Sequence, residues 1–275
     1  MTPAMDQILS VPAEAAGVSA LPRDVGALCG IVQGLLVHDA AVAHLYGAPP
    51  PGLTMDRTTY PVSKRLERAI ARCGSPISVP RPVFQRQVGT CRDFAAMLCV
   101  FLRHAGYQAQ VRCGFAAYFT PQGLEDHWVT AYRRGPKAAW HLADAQLDEV
   151  HRRHHGIAFD VTDMPEGAFL TADRAWRRWR RGEGRAGDFR HGDHRGAGLL
   201  LVNLMRDALA RRDRLTSCWD GWRGFGDLSL PLGATAQSLG DSIAAGGEDH
   251  IASLDAADPG ALFAPADGCV AGAGK

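Results

Sequence analysis

No two of the seven cysteines form a CxxC pair, so the chain has no zinc-ribbon or thioredoxin-type spacing. The count is odd, and 275 residues can build a core without covalent staples, which points to free thiols in a reducing compartment. The opening MTPAMDQILSVPAEAAG has no basic start and no sustained apolar run. It reads as neither a secretory signal nor an anchor. No segment reaches the roughly 18 apolar residues of a spanning helix. Charge of one sign is also lacking: 30 Lys and Arg against 29 Asp and Glu leave a net +1. That balance does not draw the protein to nucleic acid or to an anionic membrane. There is no internal repeat. The expectation is a cytoplasmic globular protein with neither a nucleic-acid nor a membrane partner.

What is present suits a packed core, since 46% of residues are hydrophobic and 21% charged. Residues 1–20 are Ala/Pro-rich and read as a flexible start. A single domain is expected over 21–230, with a core at about 60–150 and a helical extension at about 160–230. Residues 231–275 read as a weakly ordered tail, with a helix at 235–255 and disorder beyond Asp258.

Local patterns fill in the domain. Residues 23–46 carry Val25, Leu28, Ile31, Val32, Leu35 and Leu36 on one helical stripe, and VSKRLERAIAR (62–72) is a second amphipathic helix. Pro76, Pro80 and Pro82 impose extended or turn structure. CRDFAAMLCVFLRHAG then makes a strong helix, with Thr90 as N-cap, Asp93 in the first turn and Gly106 as stop. From Gln108 the period changes, and QAQVRCGFAAYF, HWVTAY and AAWHLADA read as three strands. Helices return around Thr171 to Arg180 and Leu199 to Leu209. The glycine-rich GEGRAGDFRHGDHRGAG between them reads as a loop.

The chemistry centres on Cys91. A thiol attacks as its thiolate, and a helix N-terminus favours that form through unpaired N–H groups and partial positive charge. Cys91 heads the strong helix. A thiolate also needs an imidazole partner, itself oriented by an acceptor. His127 opens one strand and Asp144 lies in the next, so the two can meet across a short turn. His141 competes for the base and Asp148 for the acid. Oxyanion donors would be the Cys91 backbone N–H and a side chain just upstream, Gln85 or else Gln87.

The segments GTCRDFAAMLCVFLRHAGYQAQVRCGFAAYF, EDHWVTAY and WHLADAQLDEV resemble the transglutaminase-like core in order, spacing and predicted structure. The likeness continues through FLTADRAWRRWRRGE, VNLMRDALA and CWDGW, which resemble a bacterial subgroup of transglutaminase-domain proteins. The resemblance covers roughly 55–225 and implies an α+β, papain-like fold in which a Cys-headed helix packs on an antiparallel sheet. N-terminal helices and a C-terminal helical extension complete it. It places Cys91, His127 and Asp144 at the triad positions. It implies acyl transfer through a thioester on an amide, peptide or acyl-thioester donor, with no cofactor and no metal. Water as acceptor would make the protein a hydrolase, and a silent binding protein is the reading of a different class. Arg92, Trp128, Asn203 and Arg206 are candidate substrate contacts.

Two further signals remain. HRRHH (151–155) and HGDH (191–194) could share a metal, but no Glu stands within the first and both lie among arginines, so solvated basic surface is the expectation. WRRWRR (176–181) interleaves rings and guanidiniums. It is expected to bury its Trp edge and solvate its arginines. Arginine forks would also suit a phosphorylated carrier holding the substrate.

Overall fold

A computed structural model describes residues 7–11, 17–51, 60–215, 228–229 and 231–246. In chain order it contains α1 (Val25–Leu35), β1 (Leu36–His38), α2 (Val42–Tyr46), α3 (Val62–Cys73), β2 (Gln87–Gly89), α4 (Cys91–His104), β3 (Gln108–Ala116), β4 (Leu124–Arg133), β5 (His141–Ala143), α5 (Glu149–His155), β6 (Phe169–Thr171), α6 (Ala172–Arg180), β7 (Phe189–His191), β8 (His194–Arg195), α7 (Ala197–Ala210) and α8 (Ala234–Ala244). The class is α+β, consistent with a papain-like core. The sheet, expected to be antiparallel, is mixed. Its order is β6-β3-β4-β7-β8, with β5 also on β4. β4 runs antiparallel to β3 and β5 but parallel to β7. β7 takes Leu124 and Glu125 while β5 takes Thr130 to Tyr132, so residues 126–129 lie between the two pairings.

α4 forms where its pattern requires. Phe94, Met97, Leu98, Phe101 and Leu102 are buried, and they share one core with Leu28, Val32 and Leu35 of α1 and Leu66 of α3. Thr130 Oγ1 donates to the Ala95 carbonyl at 2.9 Å, which ties β4 to this helix. Ile8, Leu9 and Val18 are buried in the same core, so these parts of the start, read as loose, are packed.

The single helical stripe expected over 23–46 is instead α1, β1 and α2. Leu36 to His38 leave the helix to pair in parallel with Gln87 to Gly89, a partner about 50 residues away that no local pattern reveals. The glycine-rich loop is also more regular than expected, because β7 and β8 form a small ladder within it.

A second core joins Phe115 and Phe189 to α6, α7 and α8. Trp176 is buried and donates from Nε1 to Asp241 Oδ1 at 2.9 Å. The α6–α8 approach requires glycine at 240, since a Cβ there would lie 2.1 Å from Trp176 Cζ2. α8 covers the first part of the helix expected at 235–255. Residues 247–255, the stretch beyond Asp258 and CWDGW lie outside the described residues. Among the described residues no helix is long and apolar enough to cross a membrane.

Candidate active site

Cys91 is the first residue of α4 and is half-buried. The turn that presents it is held by buried charge. Asp93 Oδ2 accepts the Thr90 N–H at 2.9 Å and meets Arg65 Nη2 at 3.0 Å, while Oδ1 meets Arg92 Nη2 at 2.8 Å. Burial works against the Asp93 charge, but Arg65 and Arg92 outweigh it and hold the carboxyl below its usual range. Arg65 Nη1 also donates to the Val88 carbonyl at 3.0 Å and Gln87 Nε2 to the Arg65 carbonyl at 2.5 Å. α3, β2 and the head of α4 thus form one knot.

Asp126 and His127 are adjacent on β4, and the period of two sends them to different networks. His127 Nε2 lies 2.7 Å from Asp144 Oδ2, and both side chains are buried. Asp144 follows β5 directly, at the gap between β5 and β7. Its Oδ2 also accepts the Tyr118 hydroxyl at 2.6 Å, and its Oδ1 accepts the Gln146 N–H at 3.0 Å. Burial opposes its ionisation, but the His127 imidazole and these hydrogen bonds hold the carboxyl below its usual range. With Nε2 turned to Asp144, Nδ1 is the imidazole nitrogen left for a thiol.

Two groups near this pair feel the Cys91 thiol. It bears electrostatically on Tyr118, which shares Asp144, and on Cys113. Cys113 pairs with Trp128 in the ladder, and Gly114 pairs with His127. Position 114 must be glycine, because a Cβ would sit 2.3 Å from the Leu170 carbonyl oxygen on β6.

The competing residues are engaged elsewhere. His141 is exposed and bonds Asp163 at 2.8 Å. Asp148 caps α5, accepts the His151 N–H at 3.0 Å, and bonds the Tyr46 hydroxyl. The oxyanion candidates are turned away: Gln85 Oε1 faces the Cys73 thiol at 3.8 Å, and the Gln87 amide is held by Arg65. Arg92 and Trp128, taken as substrate contacts, are buried, the first in the Asp93 knot and the second in the main core. Asn203 is buried and donates to Asp126 Oδ1 at 2.7 Å, with Arg206 Nη1 at 3.4 Å from its own oxygen. These two belong to a polar network between β4 and α7. The histidine clusters are not plain solvated surface either. His151 is buried, with Nδ1 2.9 Å from Asp148 Oδ1, and His191 Nδ1 lies 3.1 Å from Asp126 Oδ2. Among the described residues no group of three His, Cys, Asp or Glu is arranged to hold a metal.

Sequence reasoning missed Tyr118 and His38. His38 pairs with Gly89 two residues before Cys91 and stacks on Phe94 with ring centroids 6.5 Å apart. Burial lowers its pKa to about 4; Asp39 opposes this, and nearby His127 and His151 reinforce it. Its imidazole is therefore uncharged at neutral pH. Neither residue carries a local signal, since one was read inside a helix and the other as an ordinary strand aromatic.

Residues 54–145 match the model of the transglutaminase-like superfamily, in which catalysis usually rests on a cysteine. The match ends one residue past Asp144 and holds all three triad candidates, while α5 to α8 lie beyond it. No curated protein and no solved structure matches the chain.

Proposed function

We propose that this protein is a cysteine-dependent acyltransferase that works through a thioester on Cys91. The observation that carries the reading is the buried His127–Asp144 pair at 2.7 Å, whose strand β4 is tied by Thr130 to α4, the helix that Cys91 heads. The Cys91 thiolate attacks a donor carbonyl, forming the C–S bond and a tetrahedral oxyanion that the Cys91 backbone N–H can face at the helix N-terminus. Collapse breaks the bond to the leaving group, which takes a proton from the His127 imidazolium. An amine acceptor then attacks the thioester and gives its proton to His127. The C–S bond breaks, the amide leaves, and the thiolate returns. Asp144 keeps the imidazole oriented and stabilises its charged form. Donors are an amide, a peptide or an acyl thioester, free or carrier-bound.

A trapped intermediate tests this. Deacylation needs the base, so His127→Ala is expected to accumulate an acyl group when incubated with the N-acetylcysteamine thioester of a simple acid. Intact mass should rise by one acyl unit, peptide mapping should place it on Cys91, and hydroxylamine should remove it. Acylation that persists in Cys91→Ala, or an adduct that maps to another residue, would overturn the reading. In the wild type, an amide product with added amine supports the transferase, and free acid alone would make it a hydrolase.

A further inference from the structure

A cleft of about 610 Å³ opens between the end of β3 and the segment after α5, lined by residues 117–121 and 154–159. Its inner wall, Tyr118 and Phe119, backs onto the His127–Asp144 pair. The Phe119 ring meets His127 edge-on with centroids 4.8 Å apart, and Tyr118 reaches Asp144 through its hydroxyl. Tyr118, Phe119 and Phe159 form an aromatic cluster, with Tyr118 4.7 Å from Phe119 and 5.6 Å from Phe159. His155 packs against Phe119 at 5.1 Å.

The cleft's chemistry is defined by charge. None of its lining residues is Asp, Glu, Lys or Arg, although such residues make up 21% of the chain. The His155 pKa is lowered to about 4, first by burial and then by His154, His151 and His44, so its imidazole is neutral at neutral pH. A charged group entering this space would find no countercharge among these residues. An aromatic or branched aliphatic group would gain ring contacts and shed apolar surface.

We propose that this cleft is the acyl-donor subsite and that it takes an uncharged aromatic or branched aliphatic side chain beside the carbonyl attacked by Cys91. The proposal rests on the thioester reading above and adds a substrate class to it. It also separates this surface from the arginine-rich α6, so a phosphate-bearing portion of a donor binds elsewhere.

The test uses the full chain and four N-acetyl aminoacyl chloromethyl ketones, with phenylalanine, leucine, glutamate or lysine side chains. In each, the Cys91 sulfur displaces chloride. Alkylation rates at neutral pH, followed by intact mass, are divided by the iodoacetamide rate of the same protein. The phenylalanine and leucine probes are expected to exceed the glutamate and lysine probes by at least about tenfold. Ala158 lines the cleft and is exposed, so Ala158→Asp is expected to lower the phenylalanine-to-lysine ratio by about tenfold. Equal normalised rates for all four probes, or a lead for either charged probe, would overturn the subsite and leave the thioester reading intact. Failure of iodoacetamide to single out Cys91 would overturn both.

Discussion

Asp93→Asn is expected to destabilise the protein by about 3–5 kcal/mol, the usual cost of removing one partner from a buried ion pair. The substitution keeps the side-chain size and an acceptor for Thr90, but it removes the charge that Arg65 and Arg92 share. Thermal unfolding should report a midpoint lower by on the order of 10 °C. The wild type should show the same dependence through pH. The folded-state pKa of Asp93 is depressed, so its contribution is present above the ordinary carboxylate range and is lost as pH falls through the depressed value. The midpoint should therefore hold above about pH 4 and drop below it, and Asp93→Asn should lack that part of the drop. A variant as stable as the wild type would mean that the knot does not hold the head of α4.

Asp144→Ala should leave the fold in place and slow acyl transfer by on the order of 10³–10⁴. It takes away the acceptor that holds His127 Nε2 and receives the Tyr118 hydroxyl and the Gln146 N–H. The imidazole then loses its fixed tautomer and the partner for its charged form. The loss belongs in kcat, with KM little changed, because no substrate contact is removed. Asp144→Asn should fall between wild type and alanine, since an amide oxygen can still accept from Nε2 but carries no charge. Steady-state rates with a thioester donor, with circular dichroism as the fold control, decide this. An Asp144→Ala variant within a few-fold of wild type would show that His127 works without it.

The parts legible in the sequence were those with a strong local period. α4 could be read from its apolar stripe and cap, β3 and β4 from the change of period at Gln108, and the order of Cys91, His127 and Asp144 from the elements that carry them. What was not legible depended on tertiary partners. β1 spans three residues and forms only because β2 lies alongside, so His38 could not be placed near Cys91. β7 and β8 are too short for alternation to show, which hid the link from His191 to Asp126. Arg92 and Trp128, candidate substrate contacts by their place beside Cys91 and His127, are buried because flanking a reactive residue says nothing of side-chain direction: the first turn of α4 points Arg92 into the Asp93 knot, and β4 points Trp128 into the core. Gln85 was chosen by its offset from Cys91, yet the 3-10 turn at Val83–Gln85 turns its amide oxygen to Cys73.

The central claim is that Cys91 is a nucleophile served by His127. The most direct measurement is the rate of iodoacetamide labelling at each cysteine as a function of pH, read by peptide mapping in the wild type and in His127→Ala. Cys29 and Cys99 are buried, and burial pushes each thiol up to about 12; Cys113 is buried as well and its thiol is pushed well above the usual range. These three should stay unlabelled near neutral pH while Cys91 reacts quickly, and in His127→Ala the Cys91 rate should fall and its pH dependence change. Slow labelling spread evenly over the thiols, or a Cys91 profile unaltered by loss of His127, would contradict the account.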